Sequence, residues 1–311
     1  MKQLRPYQKR AADFVRFREK RDRQVRLALA APTGSGKTVI MTELLRDPCR
    51  QIVISHRKIL IDQISAELTA QGIPHGFRAS GRKPNPDAPI QLAMIQTELK
   101  RAGKMALHDA ARVHIDEIHC QGGPQYRAIF SQYRARGAAV IGYTATPSDL
   151  GDMVDDVFPV ATVPELIQQG YLCQPRVFSC GMPDPKLLEQ LRRDAYGEFL
   201  SGDVEKLVKP QIISGRVLEQ LRRLNPDGRP FVLFAHSVAA SIWWARHLTI
   251  KGYPTAHIDG NDIWVDGQFY KSDSAKRKEC FERIESGNLK GLSNRFVLRE
   301  GVDLPILGHA I

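Results

Sequence analysis

VRLALAAPTGSGKT, residues 25–38, decides the predicted fold. The apolar run Val25–Ala30 predicts a buried strand, and a helix is predicted to begin at Lys37. Between them lies a loop of small residues that ends in Gly-Lys-Thr and starts with Ala31 where the strict P-loop pattern has Gly. Backbone N–H groups in such a loop, together with a helix N-terminus, surround phosphate oxygens. The stretch predicts a phosphate-binding loop in an α/β fold, with a chance glycine-rich turn as the alternative.

Strands and helices alternate on both sides of this stretch. Apolar strands between helices predict a parallel sheet that is covered on both faces. The first alternation comprises helix Pro6–Lys20, strand Gln51–Ser55, helix Arg57–Ala70 and strands Ile90–Ile95, Arg112–Asp116 and Ala138–Tyr143. The second comprises strand Phe231–Ala235, helix Ala239–Lys251, strand Thr255–Ile258, helix Ser274–Ser286 and strands Gly291–Asn294 and Ile306–Ile311. We therefore predict an N-terminal domain over residues 1–160, a linker and helical segment over 161–228, and a second domain over 229–311.

Composition and charge narrow the classes of protein that the chain can represent. Of its 311 residues, 42% are hydrophobic and 25% are charged. No apolar stretch approaches the roughly 18 residues of a membrane span, and the basic N-terminus lacks the apolar segment of a signal peptide. The five cysteines have no C-x-x-C spacing, which argues against zinc or a disulfide framework and predicts reduced thiols in the cytoplasm. The net charge of +11 favours a polyanionic partner.

An acidic pair follows the predicted strand Arg112–Asp116. In a parallel sheet the carboxyl end of a strand is where nucleotide binds, so Asp116 and Glu117 are placed to act on a phosphate held by the loop. Asp116 is predicted to hold Mg²⁺ together with Thr38, and Lys37 to reach the phosphates. Glu117 is predicted to deprotonate the attacking water. Two ordinary surface acids are the alternative interpretation.

These motifs resemble those of one protein superfamily. Ala31–Thr38, Asp116-Glu117-Ile118-His119, Thr144-Ala145-Thr146-Pro147 and Glu300–Pro305 occur in the order seen in superfamily-two helicases of the DEAD/DEAH type. The likeness is to the bacterial and phage branch that includes motor subunits of restriction enzymes. It implies an α/β chain of two RecA-like parallel-sheet domains in tandem, the second incomplete, and an ATP-dependent nucleic-acid helicase or translocase.

The resemblance also implies roles for individual residues at the nucleotide. Tyr7 and Gln8 resemble the adenine-recognition element, although a helix start with an incidental amide is the alternative. His119 would lie between the nucleotide and Thr144 and Thr146, whose hydroxyls would couple hydrolysis to domain closure. The implied contacts with ATP and Mg²⁺ come from Tyr7, Gln8, Thr33, Gly34, Ser35, Gly36, Lys37, Thr38, Gly301 and Asp303.

Polar residues at strand ends are predicted to contact the nucleic-acid backbone. Free N–H groups and polar side chains at a strand end that opens a helix can bind phosphate, while ordinary capping is the alternative. The candidates are Ser55, His56, Arg57, Gln96, Thr97, His236, Ser237 and Asn294. Contacts with the backbone do not distinguish one base from another, so no sequence specificity is implied. DNA is predicted over RNA as the substrate, and RNA stays open as the alternative.

Two further patterns bear on activity. Pro86-Asp87 with Glu98-Leu99-Lys100 fits a loose nuclease pattern, but Glu98 follows Gln96-Thr97 on a predicted turn, so we do not adopt it. The family's Gln-x-x-Gly-Arg-x-x-Arg helix, whose arginines are worth about 10³–10⁵ in rate, does not occur before Ile311. We expect a chain truncated before this element, with a partner chain that supplies it or with binding but no motor activity.

Overall fold

The structure is a computed structural model in which two compact units are resolved. It describes residues 3–56, 58–101, 107–121, 123–148, 150–178, 185–193, 199–200, 202–203, 210–295, 297–298 and 306–311. The units are Met1–Pro175 and Arg176–Ile311. The division falls within residues 161–228, which the sequence assigns to a linker and helical segment, and the three predicted domain limits stay a prediction.

Unit 1 is built around a seven-stranded parallel sheet in the order β3-β4-β2-β5-β6-β1-β7. Its strands are β1 Arg26–Ala30, β2 Gln51–Ser55, β3 His75–Arg78, β4 Ile90–Met94, β5 Arg112–Asp116, β6 Ala139–Thr144 and β7 Asp156–Pro159. Its helices are α1 Pro6–Arg21, α2 Lys37–Leu45, α3 Lys58–Ala70, α4 Ile95–Arg101, α5 Pro124–Arg134 and α6 Val163–Gln168.

Burial explains why the central strands were readable in the sequence. Every residue of β2, β5 and β6 is buried, as expected for parallel strands covered on both faces. Two apolar clusters form the core: one contains Leu27, Leu29 and Ile141, and the other contains Ile115 and Val140. Neighbouring side chains of one strand point to opposite faces, so these clusters lie on the two sides of the sheet.

The edges of unit 1 differ from the sequence-based prediction. Strands β3 and β7 were not predicted, because their residues are partly exposed and carry no continuous apolar run. Strand β7 pairs in parallel with β1, and Leu166 of α6, which falls in the linker predicted over residues 161–228, is buried in the first apolar cluster. Gln96, Thr97, Glu98 and Lys100 lie on helix α4, so the predicted turn is wrong.

Unit 2 contains a six-stranded sheet in the order β11-β10-β9-β12-β8-β13. Its strands are β8 Phe231–Phe234, β9 Thr255–Ile258, β10 Asp262–Val265, β11 Gln268–Lys271, β12 Gly291–Asn294 and β13 His309–Ala310. Its helices are α7 Pro185–Glu189, α8 Pro210–Leu224, α9 Val238–Ile250 and α10 Ser274–Glu285. The four strands predicted from the sequence pair in parallel. The hairpin β10–β11 is antiparallel and was not predicted, so the second sheet is mixed rather than wholly parallel.

Candidate functional site

Three sequence motifs meet at the carboxyl edge of the sheet in unit 1. Strand register places Thr144 opposite Ala30, and Tyr143 opposite Asp116. The backbone N–H of Ala31 donates to the carbonyl of Thr144 over 2.8 Å, which fixes the start of the phosphate-binding loop beside the end of β6. The loop, the acidic pair and the Thr-Ala-Thr segment therefore leave the sheet at one place.

Gly36 controls how the loop enters helix α2. It is the residue that precedes the helix and has φ +85° and ψ +44°, a left-handed conformation that favours glycine. A Cβ at this position would lie only 2.5 Å from Nε2 of Gln8. The loop therefore depends on glycine here for its conformation and for space, and its backbone can stay close to a bound anion.

Tyr7 and Gln8 hold the loop from the side of α1. The Tyr7 hydroxyl donates to the carbonyl of Ser35 over 2.8 Å, and Gln8 Nε2 donates to the same oxygen over 2.9 Å. Gln8 Oε1 accepts from the backbone N–H of Arg5 over 2.9 Å. Both side chains are buried, so this structure uses them to position the loop. The predicted contact of Gln8 with adenine stays a prediction.

Lys37, Glu117, His119 and Thr144 form a continuous line of polar contacts. Lys37 Nζ donates to Glu117 Oε1 over 2.9 Å, and the other carboxylate oxygen of Glu117 lies 3.5 Å from His119 Nδ1. His119 Nδ1 is 2.8 Å from Thr144 Oγ1, which donates to the carbonyl of Thr146 and accepts from its N–H. The donor in the contact between His119 Nδ1 and Thr144 Oγ1 depends on which ring nitrogen of His119 carries the hydrogen.

The turn after β5 aims these side chains. Glu117 has φ +46°, an uncommon left-handed value for a residue with a side chain. Ile118 is fully buried in the core and begins a short 3₁₀ helix, Ile118–Gln121. The buried Ile118 anchors the turn, while Glu117 and His119 on either side of it remain partly exposed. A strained backbone conformation persists only where the surrounding structure stabilises it, and such conformations are typical of functional sites.

The donor set fits a magnesium ion held jointly with phosphate. Thr38 is the second residue of α2 and is exposed, and Asp116 ends β5 and is mostly buried. Mg²⁺ usually takes one or two protein oxygen ligands and completes its shell with water and substrate phosphate. Across the part of the chain that the structure describes, no group of three or more His, Cys, Asp or Glu residues could hold a metal alone. Thr38 and Asp116 would therefore hold Mg²⁺ only in company with phosphate oxygens.

A buried polar network lies beneath Asp116 on the same face of β5. His114 Nδ1 is 2.9 Å from the Tyr143 hydroxyl, and His114 Nε2 is 2.8 Å from Gln51 Oε1. Burial, helped by the positive charge of Arg112, lowers the pKa of His114 well below its ordinary value. Burial likewise raises the pKa of the Tyr143 phenol. Both rings are therefore neutral, and they hold β5 and β6 in register under the site.

The predicted nucleic-acid residues of unit 1 fall on two neighbouring strand ends. Ser55 is buried at the end of β2 and His56 is partly exposed just after it, while Arg57 lies outside the described residues. Gln96 and Thr97 lie in the first turns of α4 after β4, which pairs with β2. They line a cavity of about 390 Å³ together with Lys58, Arg82 and Lys100.

In unit 2 the predicted contacts differ in exposure. His236 and Ser237 are partly exposed after β8, and the Ser237 hydroxyl accepts from the N–H of Ala240 over 3.1 Å as the cap of α9. Asn294 is fully buried at the end of β12: Nδ2 donates to the carbonyl of Leu233 over 3.0 Å, and Oδ1 accepts from the N–H of Leu298 over 3.2 Å. Asn294 thus has a structural role here. Gly301 and Asp303 lie outside the described residues.

Glu98 is committed to the core, so the nuclease pattern gains no support from the geometry. Its side chain is fully buried, with Oε1 2.6 Å from Arg78 Nε, and Oε2 accepts from the Tyr133 hydroxyl over 3.1 Å. A carboxylate held in this way ties α4 to β3 and α5 and is unavailable to a metal ion.

Two residues that pack near the loop carry no recognisable signal in the sequence. The ring of Tyr171 packs edge-on against Tyr7 with centroids 5.8 Å apart, and the guanidinium of Arg5 lies 4.1 Å from the centroid of Tyr171. A Cβ placed on Gly34 would lie 2.8 Å from Leu172 Cδ2. Tyr171 and Leu172 follow α6 in the segment predicted to be a linker, where composition alone does not reveal packing.

Comparisons with known proteins show which families the chain resembles. Residues 1–149 match the family described as type III restriction enzyme, res subunit. The chain is 25% identical over 291 residues to a 51.5 kDa protein of Lactococcus phage (isolate 7-9), covering 89% of this chain and 56% of that one. It is 22% identical over 334 residues to IRC3 of Saccharomyces cerevisiae, whose name describes an ATP-dependent helicase, covering 97% and 45%. The chain thus spans about half the length of the curated relatives it matches.

A solved structure supports the fold. The crystal structure of the Pyrococcus furiosus Hef helicase domain superposes with a TM-score of 0.55 and 14% identity, over 99% of this chain and 88% of that one. The likeness confirms the predicted fold class, an α/β chain of RecA-like domains in tandem. No helix among the described residues has the length and apolar character needed to cross a membrane. The chain is therefore similar to superfamily-two helicases of restriction-enzyme-like type, and residues 1–149 match the res-subunit family.

Proposed function

We propose that the chain binds ATP with Mg²⁺ and couples ATP hydrolysis to movement along a nucleic-acid backbone, DNA in preference to RNA. The observation that carries the proposal is the line of contacts from Lys37 through Glu117 and His119 to Thr144. It joins the phosphate-binding loop, the acidic pair and the Thr-Ala-Thr segment within one unit. A structural salt bridge alone would need neither His119 nor the hydroxyl beyond it.

Lys37 and Glu117 would exchange partners when nucleotide binds. The ammonium of Lys37 is held by Glu117 over 2.9 Å in this structure, and both groups are largely buried. A phosphate anion competes for the same ammonium, so binding releases the Glu117 carboxylate to accept a proton from water. Mg²⁺, when bound, neutralises phosphate charge beside Thr38 and Asp116. His119 contacts both Glu117 and Thr144, so it would then transmit the change at the Glu117 carboxylate to Thr144.

Steady-state ATPase measurements with and without DNA test this proposal. We expect turnover that DNA stimulates and that Lys37→Ala abolishes. A background ATPase rate that changes neither with DNA nor with the substitution would overturn the proposed motor function. ATP-dependent nucleic-acid binding without turnover would favour a binding protein instead. Competition between matched DNA and RNA duplexes decides the substrate.

Two finer features belong to the same proposal. The family places arginines at the γ-phosphate, so an arginine supplied by a partner chain would raise turnover; addition of purified partners to the ATPase assay checks this. A cytoplasmic location fits the scattered cysteines, of which Cys49, Cys173 and Cys280 are free thiols. Fractionation of cells that express the chain tests the location.

The cavity beside Gln96 and Thr97 supports the predicted phosphate contacts. Lys58 and Lys100 are exposed on its wall, and Arg82 is paired with Asp62. Two cations without a carboxylate partner among the described residues can bind successive phosphates, which makes affinity fall as salt rises. Replacing both lysines by alanine should therefore weaken binding equally for all sequences and reduce the salt dependence.

A further inference from the structure

A second cavity of unit 1 lies at the opposite edge of the sheet from the nucleotide motifs. It has a volume of about 690 Å³ and is open to solvent beside Arg112 and Ala139, the first residues of β5 and β6. The phosphate-binding loop and the acidic pair follow the carboxyl ends of the same sheet. The length of the strands therefore separates this cavity from the site described above, and the proposed function makes no use of it.

The arginines at the floor of the cavity are paired with carboxylates. Arg112 is nearly fully buried; its Nε donates to Glu19 over 2.6 Å, and its Nη2 lies 3.0 Å from Asp47. Arg16 is held by Glu43 over 3.1 Å and by Asp47 over 2.8 Å. These arginines are fixed by carboxylates, so they stiffen the base of the cavity without leaving an unmatched positive charge.

The walls, in contrast, carry unmatched positive charge. Four cations reach the cavity from different elements and have no carboxylate within 4.0 Å among the described residues: Lys20, Arg23, Arg50 and Arg136. Arg50 Nε donates to the carbonyl of Asp109 over 3.2 Å, which turns its guanidinium along the wall. The side chain of Asp109 is the one carboxylate on the wall without a cationic partner among these residues. Four like charges against one acid converge on one concave space.

We propose that this cavity binds a phosphate-bearing anion at a site separate from the ATP site. Exposed arginine and lysine side chains usually lie scattered over convex surface, where water solvates them. Here they come from the end of α1, the segment before β1, the residue before β2 and the segment after α5. Arginine forms forked hydrogen bonds to phosphate, and a concave wall of one charge sign concentrates anions. A free phosphate compound and the backbone of a nucleic acid share this chemistry.

Cys49 provides a local reporter of occupancy. It lines the cavity and is partly exposed, and burial raises the pKa of its thiol. Its alkylation rate can be followed in the full chain by mass spectrometry of the peptide that contains it, at mildly alkaline pH. An anion bound in the cavity would cover the thiol and slow the reaction. The probes are pyrophosphate and a short single-stranded oligonucleotide.

Arg23→Ala combined with Arg136→Ala is the test variant, and Lys9→Ala combined with Arg21→Ala is its charge-matched control. All four residues are exposed, and the control pair lies on α1 outside the cavity. We expect pyrophosphate to slow Cys49 alkylation. The concentration for half protection should rise at least about tenfold in the test variant, since each charge-assisted bond is worth about a factor of ten. A second variant, Lys20→Ala combined with Arg23→Ala, should show the same rise in the concentration for half protection.

The outcomes separate this site from the ATP site. Protection that survives Lys37→Ala and the control pair, but weakens in the test variants, supports the proposal. The probe that protects at the lower concentration identifies a free phosphate compound or a nucleic-acid backbone as the ligand. Protection by neither probe overturns the proposal. So does protection that the test variants leave unchanged, or that Lys37→Ala or the control pair removes.

Discussion

At the scale of single residues, the site is a set of charges that already satisfy one another. Lys37 holds Glu117, and His119 connects that carboxylate to the Thr144 hydroxyl. In the proposed function, a bound phosphate would have to displace Glu117 from Lys37 before either group could take its proposed role. The contact that stabilises this ammonium and carboxylate without ligand would then also keep Glu117 from accepting a proton until nucleotide binds.

Glu117→Gln should separate binding from turnover. The amide keeps the size of the side chain but loses its charge and its basicity, so Lys37 is freed for phosphate while no base accepts the proton from water. We expect unchanged or tighter binding of Mg·ATP and a turnover at least about 10²-fold lower. Fluorescent-nucleotide titration and steady-state kinetics measure the two effects. Glu165→Gln, at an exposed cap of α6, is the control. Unchanged turnover in Glu117→Gln would contradict the assigned role.

Gly36→Ala should weaken nucleotide binding through the shape of the loop. Alanine at φ +85° is strained, and its Cβ would lie 2.5 Å from Gln8 Nε2. Gly72→Ala is the matched control, because Gly72 has φ +69° and no atom within 4 Å of an added Cβ. Both variants should lose about 1 kcal/mol of unfolding free energy from the left-handed backbone, measured by chemical denaturation. Only Gly36→Ala should also lose affinity for Mg·ATP, and equal affinities in the two would refute the packing argument.

At the scale of elements, buried strands were predictable and edge elements were not. Gln51–Ser55, Arg112–Asp116 and Gly291–Asn294 are buried at every residue, and the limits predicted for these strands agree with the structure. Strand β7, Asp156–Pro159, alternates partly exposed and exposed residues, so its assignment depends on hydrogen bonds to β1 that no sequence pattern encodes. The hairpin β10–β11 depends in the same way on pairing with β9.

The motif residues follow the same rule. Lys37, Asp116 and Glu117 could be selected as candidates because the roles predicted for them require particular residue types at fixed places after apolar strands. The clamp that Tyr7 and Gln8 place on Ser35 could not, because it arises from packing between α1 and the loop. Tyr171 was missed for the same reason, since it supports the loop indirectly, by packing against the ring of Tyr7.

Tyr171→Ala should loosen the clamp on the loop. Removal of the ring leaves Tyr7 without its edge-on partner and Arg5 without the ring that it covers. We expect a loss of about 1–3 kcal/mol in the unfolding free energy, in line with aromatic pairing plus lost buried area, and several-fold weaker binding of Mg·ATP. Tyr171→Phe keeps the ring and should resemble the unchanged chain. If alanine and phenylalanine behave alike, the ring does not support the loop.

At the scale of the whole molecule, both units carry buried histidines that must stay neutral. Burial, opposed by a hydrogen bond to the carbonyl of Pro89, lowers the pKa of His108 to about 4. Burial also lowers the pKa of His114 in unit 1, and of His257 in unit 2 despite the nearby Asp259. Such groups bind a proton more readily in the unfolded chain. Stability should therefore decline on the acid side of the ordinary histidine pKa, about 6.5.

His108→Gln should remove part of that acid sensitivity. As pH falls from about 6.5 towards the folded pKa of about 4, the unfolded state takes up the proton first, so His108 lowers the unfolding free energy by up to about 3 kcal/mol. Chemical denaturation at about pH 7 and pH 5 measures the slope. The variant should lose less stability than the unchanged chain between these two values. Equal losses would mean that His108 is protonated alike in both states.

Calorimetric titration of the full chain with ATP in the presence of magnesium measures the proposed nucleotide binding itself. We expect saturable binding at one P-loop site and the loss of that binding in Lys37→Ala, because this ammonium would leave Glu117 for phosphate. No heat beyond dilution in the unchanged chain, or equal affinity in Lys37→Ala, would contradict it.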